Sequence, residues 1–597
     1  MPDPDYVFRY PLGCLSDSAA PDLHDLPAKH LRALLDILSP TWKGEDVRID
    51  GFSLPCAPNL FHPLYPEEED CPRETHDRLD IYEPRLRYIR TLLESLLAIV
   101  DLECGGKSVR VDAFRLKRPD HWLRPGGGAA DILAHAATDC NLNCRFCYNQ
   151  GAPPVFAPAP RKKEADFREI RTRIAHYVPG SKMGLFPDMG SPCEMLAHDR
   201  IRDILAALRK KTREVIRIPT NGSTLTSGVI NELSKFAPLF IDISLNSSSP
   251  ERRRWLMRDF EPEIALRSLA NLQSAHIPYS VVIVPWPFPS VEEMIADLRR
   301  TVAFSARFDP AFIQISLPGY SRFFSEQPLF DRETVWTLLK TTVQELRAGV
   351  DCPLILRPGL FEEYLDPQAV DTAQVEGVIK HSPADRAGVR RGDRLRSLNG
   401  LTVRNRPVAR SLLSTIHGGL PGRVPLTVER KGVEVDLLMD LDDFDYPFDP
   451  SLSTYTGIVF PSAGIPFTWP EELRHLIRAR GAREVLLFTS TLVRPTLEKR
   501  LREGLFLPGV KLHVRVPPNR YMGGNIFMGD LLVVEDYISA AEDFLNEAER
   551  RPELIVIPSS AFRLSGWGRD LTGRFYKEIE RHLRIPVALL DCAPIFD

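Results

Sequence analysis

The stretch T-D-C-N-L-N-C-R-F-C-Y-N, residues 138–149, sets Cys140, Cys144 and Cys147 in a C-x3-C-x2-C array. It follows an apolar, β-rich run, I-L-A-H-A-A-T (132–138), so the three thiols are expected on a loop at the end of a strand. From there short β-rich runs alternate with amphipathic ones. K-M-G-L-F-P-D (182–188), E-V-I-R-I-P-T (214–220), L-F-I-D-I-S-L-N (239–246), Y-S-V-V-I-V-P (279–285) and F-I-Q-I-S-L-P (312–318) read as strands. Between them F-R-E-I-R-T-R-I-A-H-Y-V, D-R-I-R-D-I-L-A-A-L-R-K-K, P-E-I-A-L-R-S-L-A-N-L-Q and V-E-E-M-I-A-D-L-R-R-T-V read as helices, with another expected near 333–348. Six β-then-α units in a row imply a parallel sheet with helices on its outer face. Periodicity is compatible with an open or partial (β/α)6 barrel and equally with a doubly wound sheet. Either one puts a reactive site at the C-terminal ends of the strands.

Three thiolates so close in sequence can bind soft metal ions. A structural zinc site usually wants a fourth ligand, and no nearby Cys or His supplies an obvious one. A [4Fe–4S] cube normally takes four thiolates. Three would leave one iron open to bind a substrate or cosubstrate, which suggests catalysis more than simple electron transfer. The other seven of the ten cysteines, Cys14, Cys56, Cys71, Cys104, Cys193, Cys352 and Cys592, are scattered and read as small buried hydrophobes.

With Phe146 before the third cysteine and Tyr148 after it, and with β/α units following, the segment resembles the radical S-adenosylmethionine superfamily. The resemblance implies a partial (β/α)6 barrel and a [4Fe–4S] cluster held by Cys140, Cys144 and Cys147. It implies that S-adenosylmethionine chelates the open iron. Electron transfer from an external reducing donor, flavodoxin- or ferredoxin-like, then yields a 5′-deoxyadenosyl radical that abstracts hydrogen from a substrate. D-M-G-S-P-C-E (188–194) looks like a diverged form of the family's Gly-Gly-Glu region, which makes Gly190 and Glu194 candidates for holding the methionine amino group. T-N-G (220–222) resembles the family's Thr-Asn-Gly turn. Ser244 and Asn246 lie two apart at a strand end and share a face, a place the family uses for ribose or carboxylate contacts. Phe146 is expected beside the cofactor. Arg252 and Arg258 are within sequence reach of a carboxylate, and the strand-five segment V-I-V-P-W-P-F-P lacks the family's glycine-rich adenine motif.

Further on, H-S-P-A-D-R-A-G-V-R-R-G-D-R-L-R-S-L-N-G (381–400) resembles the core of bacterial PDZ domains, which bind extended peptides by adding a strand to a sheet. The carboxylate-binding loop expected before V-E-G-V-I-K is not evident. The last 150 or so residues resemble an uncharacterised domain that accompanies such modules, through L-L-F-T-S-T-L-V-R-P and V-P-P-N-R-Y-M-G-G-N-I-F-M-G-D-L-L. E-V-L-L-F-T-S (484–490) and E-L-I-V-I-P-S (553–559) read as its buried strands. Asn519, Gly523 and Gly529 sit in a turn-rich loop there.

The whole chain of 597 residues has room for several domains at about 100–200 residues each. The expected limits are 1–130, an N-terminal, mostly helical region with a helix at 85–101; 131–366, the barrel; 367–443, the PDZ-like domain; and 444–597, a C-terminal α/β domain. Apolar residues are 43% and charged residues 26%, which excludes a wholly disordered or collagen-like chain. A net charge of −4 gives no sign of a nucleic-acid partner. No export signal and no apolar run of 18 residues is evident, so the expectation is a cytoplasmic, oxygen-sensitive enzyme off the membrane. Its substrate would be a small molecule or a peptide, with a second peptide possible at the PDZ-like domain. The rival readings are a radical methyl or methylthio transferase and a non-enzymatic PDZ adaptor with a relict barrel.

Overall fold

The structure is a computed structural model. It describes short strands within the first 111 residues, residues 140–151, isolated positions between 153 and 174, and residues 194–592 apart from 214, 366–371, 420–421, 442–445, 447–453, 462–464, 466–468, 505–507, 564–569, 573, 575 and 591. The strands expected at 132–138 and 182–188 and most of the helix expected at 85–101 lie outside the described residues. In the first 111 residues the described elements are strands. They are β1 (Val7–Arg9), β2 (Asp25–Pro27), β3 (Val47–Ile49), β4 (Phe52–Leu54), β5 (Val100–Cys104) and β6 (Lys107–Val111). Four make an antiparallel sheet in the order β2-β1-β5-β6, and β3 and β4 pair antiparallel. Val100 and Asp101, placed by the sequence at the end of a helix, start β5, because V-D-L-E-C alternates and pairs antiparallel with K-S-V-R-V.

The regular βα pattern emerges as expected from residue 201. In order come α1 (Ile201–Arg209), β7 (Ile216–Thr220), α2 (Ser227–Leu233), β8 (Leu239–Ser244), α3 (Pro250–Met257), α4 (Pro262–Ser274), β9 (Tyr279–Ile283), α5 (Val291–Ala306), β10 (Ile313–Ser316), α6 (Arg332–Arg347), β11 (Leu354–Arg357) and α7 (Phe361–Leu365). The strands form one parallel sheet in chain order, β7 to β11. β11, L-I-L-R, goes beyond the sequence reading. One face of the sheet is apolar and solvent-excluded, with Ile218, Ile241, Ile243, Val281, Ile283, Ile313 and Ile315 at alternating positions along the strands. Several of these helices start where a side chain caps them. Ser249 with Pro250 opens α3, Ser290 opens α5 ahead of Glu292 and Glu293, and Asp331 opens α6.

The PDZ region follows, with β12 (Gly377–Val378), β13 (Arg394–Leu398), β14 (Leu401–Thr402), α8 (Arg406–Gly419), β15 (Arg423–Arg430), β16 (Val433–Asp440) and β17 (Ile458–Val459). Its main sheet is antiparallel, β14-β13-β15-β16. Gly392 takes φ +85° in the turn before it, and Asp393 is buried there, accepting from the Arg390 amide at 2.8 Å and from Arg430 at 2.7 and 2.8 Å. The strand next to β12 does not precede it. It is β17, from beyond the main sheet, which pairs antiparallel with β12. Ile379 and Val459 of this pair, with Tyr446, pack against Phe240, Phe312 and Ile355 at the N-terminal ends of the barrel strands. The PDZ region therefore sits under the barrel, at the end opposite its cysteine loop.

The C-terminal domain contains α9 (Trp469–Ala479), β18 (Glu484–Phe488), α10 (Arg494–Gly504), β19 (Lys511–Arg515), α11 (Val534–Glu547), β20 (Leu554–Pro558), α12 (Lys577–Leu583) and β21 (Val587–Leu590). Its parallel sheet runs β19-β18-β20-β21. Val485 and Leu487 face α9 and α10, whereas Leu486 and Phe488 face α11 and α12, so alternate residues of one strand serve two apolar layers. Among the described residues no helix is long and apolar enough to cross a membrane.

Candidate functional site

The cysteine loop is stapled down at several points. The Arg145 amide donates to the Leu256 carbonyl at 2.8 Å, and its guanidinium donates to the Trp255 carbonyl at 3.0 Å while lying 4.6 Å over the Trp255 ring. The Cys147 amide closes a turn onto the Cys144 carbonyl, and Tyr148–Gly151 continue as a 3-10 turn. Cys140 is exposed, and Cys144 and Cys147 are half-buried. Phe146 reaches down into a cluster with Leu256, Met257, Trp286 and Tyr320, its ring 6.3 Å from that of Trp286. This packing anchors the loop.

The turn after β7 meets this loop. The Asn221 carboxamide donates to Asn141 Oδ1 at 2.8 Å and lies 3.8 Å from Cys140 Sγ, and Asn141 donates to Ser223 at 2.8 Å. Under the turn lies Glu194, 1% exposed. Its carboxylate accepts from Thr220 Oγ1 at 2.7 Å, the Asn221 amide at 2.6 Å and the Leu196 amide at 3.3 Å. It therefore both opens the 3-10 turn at Met195–Ala197 and supports the T-N-G turn. Burial pushes its carboxyl up to about 7, against the pull of those three donors.

The same turn is held from the other side by a residue the sequence reading passed over. Arg253 is fully buried, donating to Asp259 at 2.7 Å, to the carbonyls of Leu245 at 2.6 Å and Ser244 at 3.1 Å, and to the Asn221 carbonyl. Burial lowers its pKa, opposed chiefly by Asp259. The flanking arginines in R-R-R-W-L-M-R do other work. Arg252 donates to the carbonyls of Trp286 and Phe288, and Arg258 is the exposed left-handed cap that ends α3. Asn246, at φ +61°, spends its carboxamide within the protein, accepting from the Val284 amide at 2.9 Å and donating to the Ser244 carbonyl at 3.1 Å and to Met257 Sδ. The carbonyl of Ser244 is thereby shared between Asn246 and Arg253. These two positions tie the ends of β8 and β9 together below the loop. Gly190 lies outside the described residues.

A second wall comes from the loop after β10. Tyr320, Phe324 and Phe330 surround Trp286, with Phe324 and Phe330 edge-on to it at 6.0 and 5.5 Å, and Ser321 Oγ donates to the Gly151 carbonyl. That loop is in turn gripped by residues 519–527 of the C-terminal domain. The Asn525 amide donates to the Tyr320 carbonyl at 3.0 Å, the Tyr320 amide to Asn525 Oδ1 at 2.8 Å, and the Arg322 amide to the Met522 carbonyl at 2.7 Å. Phe527 stacks edge-on with Trp336 at 4.6 Å under the Arg332 guanidinium. Of the three residues expected in a turn-rich loop, Asn519 closes it by accepting from the Met522 amide, Gly523 takes φ +58°, and Gly529 packs on Ser490.

The donor set suits an iron–sulfur cluster. Burial and the charges of Cys147 and Cys140 push the Cys144 thiol up to about 12, while Arg253 pulls it down. Three sulfurs within electrical reach of one another stay together as thiolates only with cationic charge among them. Among the described residues, no three His, Cys, Asp or Glu side chains converge on a single ion position. Sulfurs at separate corners of a multi-iron cluster do not share one such position.

Residues 137–301 match the model of the radical SAM superfamily, SAM being S-adenosylmethionine, and residues 374–430 match a PDZ domain. The chain carries a radical SAM domain. Its matched region takes in the cysteine loop, Glu194, the Thr220–Gly222 turn and Arg253. Among solved structures the chain is similar to Streptococcus suis SuiB bound to S-adenosylmethionine, at 13% identity over 37% of this chain and 48% of that one, TM-score 0.27. It is similar to SuiB bound to precursor peptide SuiA, at 13% over 37% and 47%, TM-score 0.27. It is also similar to hexahistidine-tagged anSMEcpe with bound AdoMet, at 11% over 40% and 68%, TM-score 0.27. The chain thus spans about half the length of the first of these. No curated protein matches it.

Proposed function

We propose that this protein is a radical S-adenosylmethionine enzyme in which Cys140, Cys144 and Cys147 hold a [4Fe–4S] cluster. The supporting observation is the bonding of the cysteine loop onto the Thr220–Gly222 turn, which is itself seated on buried Glu194 and Arg253. A bound cluster with one open iron supplies reductive cleavage of S-adenosylmethionine to a 5′-deoxyadenosyl radical. The chain's own residues do the rest. Glu194 offers a buried carboxylate to an ammonium group. Arg253 and Asn246 hold the strand ends at fixed spacing. Phe146, Trp286, Phe324 and Phe330 keep water from one side of the loop. We place the end of the PDZ unit near residue 460 rather than 443, because β17 completes its edge, and assign that unit a peptide partner.

The test is anaerobic reconstitution with iron and sulfide, reduction, and addition of S-adenosylmethionine, beside a triple variant with Cys140, Cys144 and Cys147 all changed to alanine. 5′-Deoxyadenosine from the intact protein alone supports the reading. S-adenosylhomocysteine would point to methyl transfer instead. Folded protein with neither cluster signal nor nucleoside overturns it.

A pH dependence follows from Glu194. With its carboxyl raised to about 7, the protein without S-adenosylmethionine is helped by the neutral form below the ordinary carboxylate range. It loses that stability as pH rises through about 7, by at most about 1.4 kcal/mol per unit. The groups facing Glu194 are Arg253 and Cys140. An ammonium ligand needs the charged form, so S-adenosylmethionine affinity is expected to fall up to about tenfold per unit below pH 7. Titration calorimetry from pH 6 to 8 reads this. Glu194→Gln should weaken binding and flatten the profile, and an unchanged slope would remove Glu194 from the site.

A further inference from the structure

We infer that residues 519–527 of the C-terminal domain are positioning residues of the radical site. They hold the loop after β10, and through it the cysteine loop, in register. This deepens the function proposed above and rests on it. The C-terminal domain lies outside both matched regions, yet one finger of it, N-R-Y-M-G-G-N-I-F, is built into the C-terminal end of the barrel.

The contact is made by two backbone-to-backbone bonds and one from the Tyr320 backbone to the Asn525 side chain. Asn525 and Tyr320 exchange two hydrogen bonds, and Arg322 adds a third to Met522. Arg332 closes the far side by donating to the Asn525 carbonyl at 3.1 Å. Two consecutive glycines permit this approach. Gly524 takes φ +62°, and a Cβ there would overlap the Tyr320 carbonyl oxygen and come within 2.8 Å of the Ser321 backbone. Neither backbone nor carbonyl can yield as a flexible side chain would. Phe527 wedges the finger against Trp336, Phe361 and Tyr364.

From the gripped loop two routes lead to the cysteines. Ser321, whose neighbour Tyr320 is bonded to the finger, donates through Oγ to the Gly151 carbonyl, which ends the 3-10 turn that follows Cys147. A Cβ on Gly151 would sit 2.7 Å from that of Phe324, so the two loops are in close contact. Tyr320, Phe324 and Phe330 also form the box around Trp286, on which Phe146 rests. A finger that let go would free Tyr320 and Ser321 together, and with them both supports of the 144–151 segment.

The test uses the full-length protein and Gly524→Ala, with Asn525→Ala as a milder variant that keeps the glycines. Hydrogen–deuterium exchange is read on the protein before cluster assembly. Exchange in 317–330 and in 140–151 should rise at least tenfold in Gly524→Ala and less in Asn525→Ala, while the PDZ amides stay unchanged. A purely local role in the C-terminal domain would leave 140–151 unmoved. After reconstitution, the electron paramagnetic resonance line shape of the reduced cluster should change, and 5′-deoxyadenosine formation should fall at least tenfold. Unaltered exchange at 140–151 in both variants would overturn the inference, whatever the activity. Absence of any cluster in the wild type would overturn the proposed function and leave the exchange result standing by itself.

Discussion

Replacing Arg253 with methionine is expected to destabilise the barrel by about 3–5 kcal/mol, the usual cost of leaving a buried charge without its partner. Arg253 and Asp259 are 0% and 2% exposed. Without the guanidinium, Asp259 is left to the Glu261 amide, a donor at 3.2 Å. The carbonyls of Asn221, Ser244 and Leu245 also lose the Arg253 donor, although Ser244 keeps Asn246 and Leu245 keeps the Ser247 amide. Asn221 stands beside Cys140, so the loss reaches the cysteine loop as well as the fold. Iron retention after reconstitution should fall with the stability. Arg253→Lys keeps the charge, but one ammonium cannot reproduce a planar fork reaching Asp259 and three carbonyls, so it should fall in between. Adding Asp259→Asn to the methionine variant removes the stranded charge and should recover part of the loss. Urea unfolding followed at the barrel and iron content read all three variants. A loss below about 1 kcal/mol for Arg253→Met would show that Arg253 does not support the turn.

What could be read from the sequence, and what could not, divides by distance along the chain. β7 to β10 were legible because each is a local apolar run between turn residues, and the cysteine spacing is a local fact too. β11 was not, since L-I-L-R is too short to stand out until Ile313–Ser316 pairs beside it. Arg253 was hidden in R-R-R-W-L-M-R. A helical period turns one arginine of such a run inward, but only the position of Asp259 and of the Asn221 carbonyl selects which one. Arg252 and Arg258, the positions marked out in advance, spend their reach elsewhere. Asn246 was marked for its face on the strand, and its carboxamide serves the strand ends. Gly523 and Gly524 read as a turn. Their purpose lies in the backbone of Tyr320 and Ser321, some two hundred residues earlier, which no local pattern shows.

The strand beside β12 makes the same point with a measurable consequence. Local pattern points to a loop ahead of V-E-G-V-I-K, whereas the neighbouring strand arrives after β16, in T-Y-T-G-I-V. Gly457→Ala should therefore do more harm than its place past the PDZ core suggests. Gly457 takes φ +92°, where a side chain costs about 1–2 kcal/mol. Its Cβ would also overlap Ser382, which is solvent-excluded and caps the helix after β12, for about 1–3 kcal/mol more. The bond from the Ile379 amide to the Gly457 carbonyl would be lost with the register of β17. Since Ile379 and Val459 also pack on Phe240, Phe312 and Ile355, the PDZ unit should loosen from the floor of the barrel. Faster proteolysis between residues 441 and 460, and faster exchange at Ile379, would show it. The cysteines lie at the other end of the strands, and sites that far apart without shared partners act independently. Iron content should therefore match the wild type, the reverse of the Arg253→Met result. Ser382→Gly in the same chain removes the overlapping atoms and should return the steric part of the loss while the backbone strain remains. If Ser382→Gly restores nothing, the packing of Gly457 on Ser382 is not what holds β17 in place.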